Sequence, residues 1–191
     1  MKWTDQSPDT ILPALPAAQA SQPRGRILCQ TRSAPPDGAE VVIDAQVHTQ
    51  VLAQLRGSRR ELGGLLIGQA FSASGQTDQV TRVAVSAAVP ADDSSGNGYS
   101  LRMEASVWSA ANRLISLHPT QSAVLKIVGW YHSHPGLGAF FSGTDRATQA
   151  AFFNQAYSVG WVIDPSDDTH ACFIGAASLD VIRCFLPGPG N

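Results

Sequence analysis

The chain has 191 residues, 43% hydrophobic and 15% charged, with a formal net charge of -2. That length and balance describe one domain with a sizeable core and exclude wholesale disorder. The slight negative charge, without a long basic run, excludes binding to nucleic acid through phosphate neutralisation, and no apolar run approaches the ~18 residues of a membrane span.

Residues 1–38 are rich in Pro, Gln, Ser and Ala and read as an irregular leader. Asp5, Pro8, Asp9, Pro13 and Pro16 interrupt any apolar stretch that could serve as a signal peptide. Within the leader, Arg26 to Gln30 reads as a short edge strand. The domain proper is expected over 39–187. Val41 to Ile43 is a strand, Asp44 an N-cap, and Ala45 to Leu55 a helix with Val47, Val51, Leu52 and Leu55 at helical spacing. Gly57 ends that helix. His48 lies off the apolar stripe and reads as exposed.

Leu65, Leu66 and Ile67 form a buried strand between Gly63, Gly64 and Gly68, which signal close backbone approach or a bulge. Glu61 stands at the head of this strand; alone it reads as a solvated charge. Gln79 to Val89 is a strand, and 90–98 a Gly/Ser/Asp-rich loop. A short strand over 101–103 and an amphipathic helix from Glu104 to Leu117 follow.

Val124 to Tyr131 reads as a buried strand running into His132-Ser-His134-Pro135-Gly136. Residues two apart on a strand share a face, so His132 and His134 present both imidazoles to one side. Pro135 ends the strand because it cannot donate to a ladder. A helix is expected over 143–157, with Ala147, Ala150, Ala151 and one of Phe152 or Phe153 facing inward. Ser142 and Asp145 alone read as a capping box. Beside two histidines, Asp145 reads instead as the third member of a zinc ligand set with one position open for water. Asp145 is then expected not to do both jobs fully, and Ser142 to cap through its backbone carbonyl while its hydroxyl serves the site.

Val159 to Ile163 is a strand closed by Asp164-Pro165, and His170 to Ile174 and Val181 to Phe185 are two more. The mixed alternation predicts an α/β fold, a sheet flanked by helices. His170 and Cys172 read as an ordinary late strand. Cys29, Cys172 and Cys184 are odd in number and widely spaced without a CxxC pair, which favours reduced thiols in a cytoplasmic protein over a structural zinc site.

Two separated blocks carry a resemblance. The first is Glu61-x-x-Gly64-x-Leu66-x-Gly68; the second is His132-x-His134-Pro135 followed by Ser142-x-x-Asp145, with ten residues between His134 and Asp145. Gly129-Trp130-Tyr131, Gly143, Thr148-Gln149 and Val162-Ile-Asp164-Pro165 extend the match. In these blocks, over about 40–185, the chain resembles the JAMM/MPN zinc isopeptidases typified by proteasome-lid and signalosome deubiquitinases. The resemblance implies an MPN (cytidine-deaminase-like) fold and one Zn²⁺ with a bound water, held by His132, His134 and Asp145. It gives Glu61 as the group contacting that water and Ser142 as support for the tetrahedral intermediate. Ala139 departs from the Cys often found in the eukaryotic enzymes, away from the ligands.

By the same resemblance the substrate is a ubiquitin-like protein or its conjugate, cut after a C-terminal Gly, with a flap over 87–100 ordering on binding. The length resembles that of stand-alone bacterial members, which implies E1/E2-like operon partners. Alternatives are processing of a sulfur-carrier tail and a scaffold that binds a ubiquitin-like partner. No nucleic acid or membrane partner is expected.

Overall fold

Aliphatic and β-branched runs suit a pleated, half-buried surface, and among the described residues they build nine strands in one sheet. A computed structural model of the chain describes residues 12–14, 25–31, 38–73, 79–91, 104–118 and 125–187. In chain order the strands are β1 (Gly25–Gln30), β2 (Glu40–Ile43), β3 (Gly63–Ser72), β4 (Val80–Pro90), β5 (Lys126–Ser133), β6 (Val159–Asp164), β7 (Thr169–Ile174), β8 (Leu179–Asp180) and β9 (Arg183–Pro187). Three helices are described: α1 (Ala45–Leu55), α2 (Ala105–Ser116) and α3 (Gly143–Phe152). The strand order is β1-β9-β2-β4-β3-β5-β6-β7-β8. Pairs β2–β4, β2–β9 and β5–β6 are parallel and the others antiparallel.

The helices cover both faces, as expected for this mixed α/β architecture. On one face Val47, Val51, Leu52 and Leu55 of α1 pack with Val41, Ile43, Val83, Val85, Tyr131 and Trp161. On the other, Val107 and Ala111 of α2 pack with Leu65, Ile67, Trp130, Phe141 and Phe153. Asp44 caps α1 by accepting from the Gln46 N–H at 2.7 Å. β1 joins the sheet at its edge through β9. Leu12 is buried in the α1 face, and the Pro13 carbonyl accepts from the Ser72 N–H at 3.2 Å. Among the described residues no helix is long and apolar enough to cross a membrane.

A bulge in β5 decides which side chains face which helix. The β3–β5 register runs Leu66↔Gly129 and then Ile67↔Ile127, so Val128 has no partner. Val128 points into the α1 core, while Trp130 packs on the α2 face. Strict alternation would put both on one face; the extra residue separates them. Gly129 sits at this step with φ +152°. A Cβ there would lie 1.9 Å from the Val159 carbonyl oxygen, in backbone that cannot move aside.

Several expectations are corrected. α3 ends at Phe152 rather than near 157, and Ala147, Ala150 and Ala151 are exposed. Its buried positions are Asp145 and Gln149, with Phe153 buried just beyond and Phe152 exposed. The inward stripe of α3 is polar because it meets polar groups. Gln149 Oε1 accepts the Trp130 indole N–H at 2.6 Å, and its amide nitrogen donates to the Ser158 carbonyl at 2.8 Å. His48 is buried, not exposed, because Trp161 and His170 cover the flank of α1 it stands on. Of the last expected strand, Val181 to Phe185, only Arg183 to Phe185 is strand, in β9, and the two-residue β8 precedes it. Of the expected flap, residues 87–90 belong to β4 and pair with β3; 92–100 lie outside the described residues, as does the strand expected over 101–103.

Gly129→Ala should lose about 3 kcal/mol or more of unfolding free energy, or fail to fold, because β5 and β6 must separate. Gly143→Ala, with open space around its Cβ, should stay within about 0.5 kcal/mol of wild type. Urea unfolding of the pair checks this; equal midpoints for Gly129→Ala and wild type would contradict the β5–β6 register.

Candidate metal centre

The site lies where β3, β5 and α3 meet. β5 delivers His132 at its end, opposite Gly63 of β3. His134 follows the strand, fixed by its N–H donating to the Ile163 carbonyl at 2.9 Å. Asp145 projects from the first turn of α3, and Glu61 precedes β3. Ser133, between the histidines, turns the other way: its hydroxyl accepts the Leu62 N–H at 3.0 Å, and its own N–H donates to the Leu62 carbonyl at 2.8 Å. This clamp ties the residue next to Glu61 to the histidine strand.

The four side chains converge. His132 Nε2 lies 3.1 Å from His134 Nε2 and 3.2 Å from Asp145 Oδ1. His134 Nε2 lies 3.5 Å from Asp145 Oδ2 and 3.9 Å from Glu61 Oε1. A tetrahedral zinc with donors at about 2.0–2.1 Å requires donor separations of about 3.3 Å, so the three expected ligands fit one ion. His132, His134 and Asp145 are all buried. Among the described residues His132 Nδ1 has no hydrogen-bond partner, so that ring's polar contacts are made through the Nε2 that points to the common centre.

Electrostatics follow from this convergence. Burial lowers the pKa of His132, against the pull of Asp145, and favours the neutral ring a metal requires. His134 is shifted up, chiefly by its hydrogen bond to Asp145. Burial opposes ionisation of Asp145, yet the hydrogen bonds of His132 and His134 hold its carboxyl well below the usual range. Burial is also the main cause that raises Glu61, which is the least buried of the four.

The capping box and the convergence of the side chains coexist at Asp145. Asp145 Oδ2 accepts the Ser142 N–H at 2.7 Å, and the Ser142 hydroxyl accepts the Asp145 N–H at 3.2 Å. A carboxylate has about four lone-pair sites, enough for the cap and for a centre on its other side. The Ser142 hydroxyl oxygen is thus engaged in the cap, and its proton remains to donate.

Sequence reasoning gave no role to the groups that hold this geometry. The Trp130 ring stacks on His132 with centroids 4.4 Å apart and planes 9° apart, and Gln149 fixes Trp130. Asp164 is buried and accepts from the N–H groups of Gly136 at 3.0 Å, Gly138 at 2.7 Å and Ser166 at 2.9 Å, which pins the loop leaving His134. The Asp-Pro pair ending β6 was the available signal for Asp164; nothing in the sequence marks Ser133 beyond its place between the histidines.

The model for prokaryotic homologs of the JAB domain matches residues 44–173. The chain is 31% identical to the 26S proteasome non-ATPase regulatory subunit 14 of Drosophila melanogaster over 167 residues, 82% of this chain and 49% of that one. Over 69 residues, 36% of this chain and 18% of the relative, it is 36% identical to the COP9 signalosome complex subunit 5 of Caenorhabditis elegans. It thus spans half or less of these relatives. A solution structure of a Desulfitobacterium hafniense protein superposes with a TM-score of 0.57 at 16% identity, covering 78% of this chain and 94% of that one. At that identity the likeness bears on the fold alone.

Replacing Asp164 by Ala should cost about 3 kcal/mol through its lost charge-assisted hydrogen bonds. Burial opposes its ionisation, but the backbone donors led by Gly136 depress the folded-state pKa. Its stabilisation is therefore full above the unfolded carboxylate value of about 3.9 and is lost as pH falls through the lower folded value. Denaturation of wild type and variant at several pH values should show the gap narrowing below that point. A gap independent of pH would contradict an ionised Asp164.

Proposed function

The chain belongs to the family of prokaryotic homologs of the JAB domain, and from that premise we propose that it is a zinc-dependent hydrolase of peptide or isopeptide bonds. Its substrate on this reading is a ubiquitin-like protein or conjugate, cut after the C-terminal Gly, in a bacterial pathway with E1/E2-like partners. The observation that carries the reading is the meeting of His132, His134 and Asp145 at zinc-compatible separations with Glu61 beside them.

His132 Nε2, His134 Nε2 and one Asp145 oxygen would hold the ion. When bound, zinc supplies Lewis acidity that polarises a carbonyl and acidifies water at neutral pH. Glu61 has one oxygen on the His134 side of the centre and remains partly open to solvent. It takes a proton from the attacking water and returns it to the leaving amine. Burial raises its pKa above the ordinary carboxylate value, the direction that favours taking up that proton. The Ser142 proton donates to the oxygen that becomes negative, while Trp130, stacked on His132, keeps that ring aligned. Trp130 and Phe141 line the His132 side with apolar surface. Leu137 and Phe140, exposed on the loop between His134 and Ser142, offer an apolar rim to an extended tail.

With zinc, the purified chain should cleave a fusion carrying a ubiquitin-like tail, and a chelator should stop it reversibly. Glu61→Gln should keep its zinc and slow cleavage by at least about 100-fold; undiminished cleavage would remove Glu61 from its role. His132→Ala should lose one equivalent of zinc, and retention of that metal would refute the ligand set. Should wild type and Glu61→Gln be equally inert on every tail tested, the domain is a binding scaffold instead. Ser142→Ala should slow cleavage by about 100-fold while costing only about 1 kcal/mol as a lost cap. A rate loss no larger than the stability change explains would reduce Ser142 to a cap.

A further inference from the structure

Spacing along the chain argued against any role for the three cysteines together, and the fold removes that argument. Cys29 on β1 faces Cys184 on β9 in direct register, and Cys172 of β7 joins them. The three Sγ atoms lie within 4.8 Å of one another, and none is in a disulfide. These are all the cysteines of the chain. β1 begins the strand order and β7 stands next to its far end, so the cluster marks a seam where the curled sheet returns on itself. The Arg26–Asp168 ion pair crosses the same seam.

The surroundings suit a soft cation. Cys172 and Cys184 are buried, while Cys29 is partly exposed and gives an entry path. A zinc–sulfur distance of about 2.3 Å requires sulfur separations of about 3.8 Å in tetrahedral geometry, within reach of small side-chain rotations. Hydrogen bonds from the Cys172 and then the Cys184 thiol lower the pKa of Cys29, while burial raises those of Cys172 and Cys184, so that pair gives up its protons only to a bound cation. The cluster packs in the α1 core, whereas the His132 side chain stacks on Trp130 of the opposite face.

We infer that Cys29, Cys172 and Cys184 form a second, three-thiolate zinc site that ties β1 and β9 to β7, its fourth position open to water on the Cys29 side. Binding forms three Zn–S bonds and releases to solvent the proton of each cysteine that is still a thiol, with no change of oxidation state. Zinc content per chain, after equilibration with zinc chloride under reducing conditions and removal of free metal, is the test.

Wild type should carry two equivalents, with Cys29→Ser and His132→Ala carrying one each. Cobalt-loaded His132→Ala should show near-ultraviolet thiolate charge transfer that is lost in the His132→Ala, Cys29→Ser double variant. Because Cys29 is the least buried of the three, its serine variant is the one least prone to misfold; Cys172→Ala provides a second check by the same readouts. One equivalent kept by Cys29→Ser and lost by His132→Ala overturns the thiolate site and leaves the proposed catalytic centre standing. The reverse supports the thiolate site and refutes that centre's zinc. His48, Asp168 and His170 also meet within 4.8 Å; a second equivalent that survives Cys29→Ser and disappears in His170→Ala belongs there and overturns the inference. A Cys29–Cys184 disulfide in the reduced preparation, read by mass spectrometry, overturns it as well.

Discussion

The unpaired Val128 in β5 is the constraint on which the centre depends. Side chains on a strand alternate, so one inserted residue reverses every later assignment of face. Without it, the strand that sends Val128 into the α1 core would send Trp130 and His132 there too. With it, His132 turns toward α3, which carries Asp145. The close approach of β6 at Gly129 admits no side chain, so that glycine is fixed by the sheet rather than by chemistry. The motif around the histidines therefore begins structurally at Gly129.

A second constraint is electrostatic. Buried polar groups must be partnered, and here each partner serves two masters. Asp145 answers the open N–H at the start of α3 and two imidazoles at once. Asp164 gathers three backbone donors from the loop after His134 and from its own turn. Gln149 links Trp130 to the carbonyl of Ser158. The side chains that would do chemistry thus rest on groups whose removal leaves a buried donor or acceptor unsatisfied, which is why the geometry can be held without a long apolar helix face.

Much of this was legible because local rules and global packing agreed. α1, its Asp44 cap and the strands β3 to β6 follow from periodicity and glycine placement. His132 and His134 share a side for the reason the strand period gives. The failures have identifiable causes. Alanines at helical spacing in α3 suggested an inward face, but alanine tolerates either side, and the truly buried positions are polar because of what they meet across the sheet. His48 looked solvated because hydrophobic patterning reads a helix against one surface, whereas a curled sheet covers α1 on its flank as well. The cysteines looked unrelated because linear spacing is informative only for ligands on one turn or hairpin; three strands at a seam leave no such trace.

The two donor sets make the sheet's curl a shared cause. β6 stands between them: His132 is in register with Val162 of β6 on one face, while Trp161 of β6 pairs with Cys172 toward α1 on the other. The imidazole set sits at the end of β5, where the strand gives way to a loop and Glu61 stays open to solvent. The thiol set sits where β1 closes on β7, and only Cys29 is open. One arrangement is open at Glu61 and the other at Cys29, although both come from the same alternation of side chains along neighbouring strands. The chemistry each can host is therefore set less by residue type than by whether its strand ends at the surface or continues into the seam.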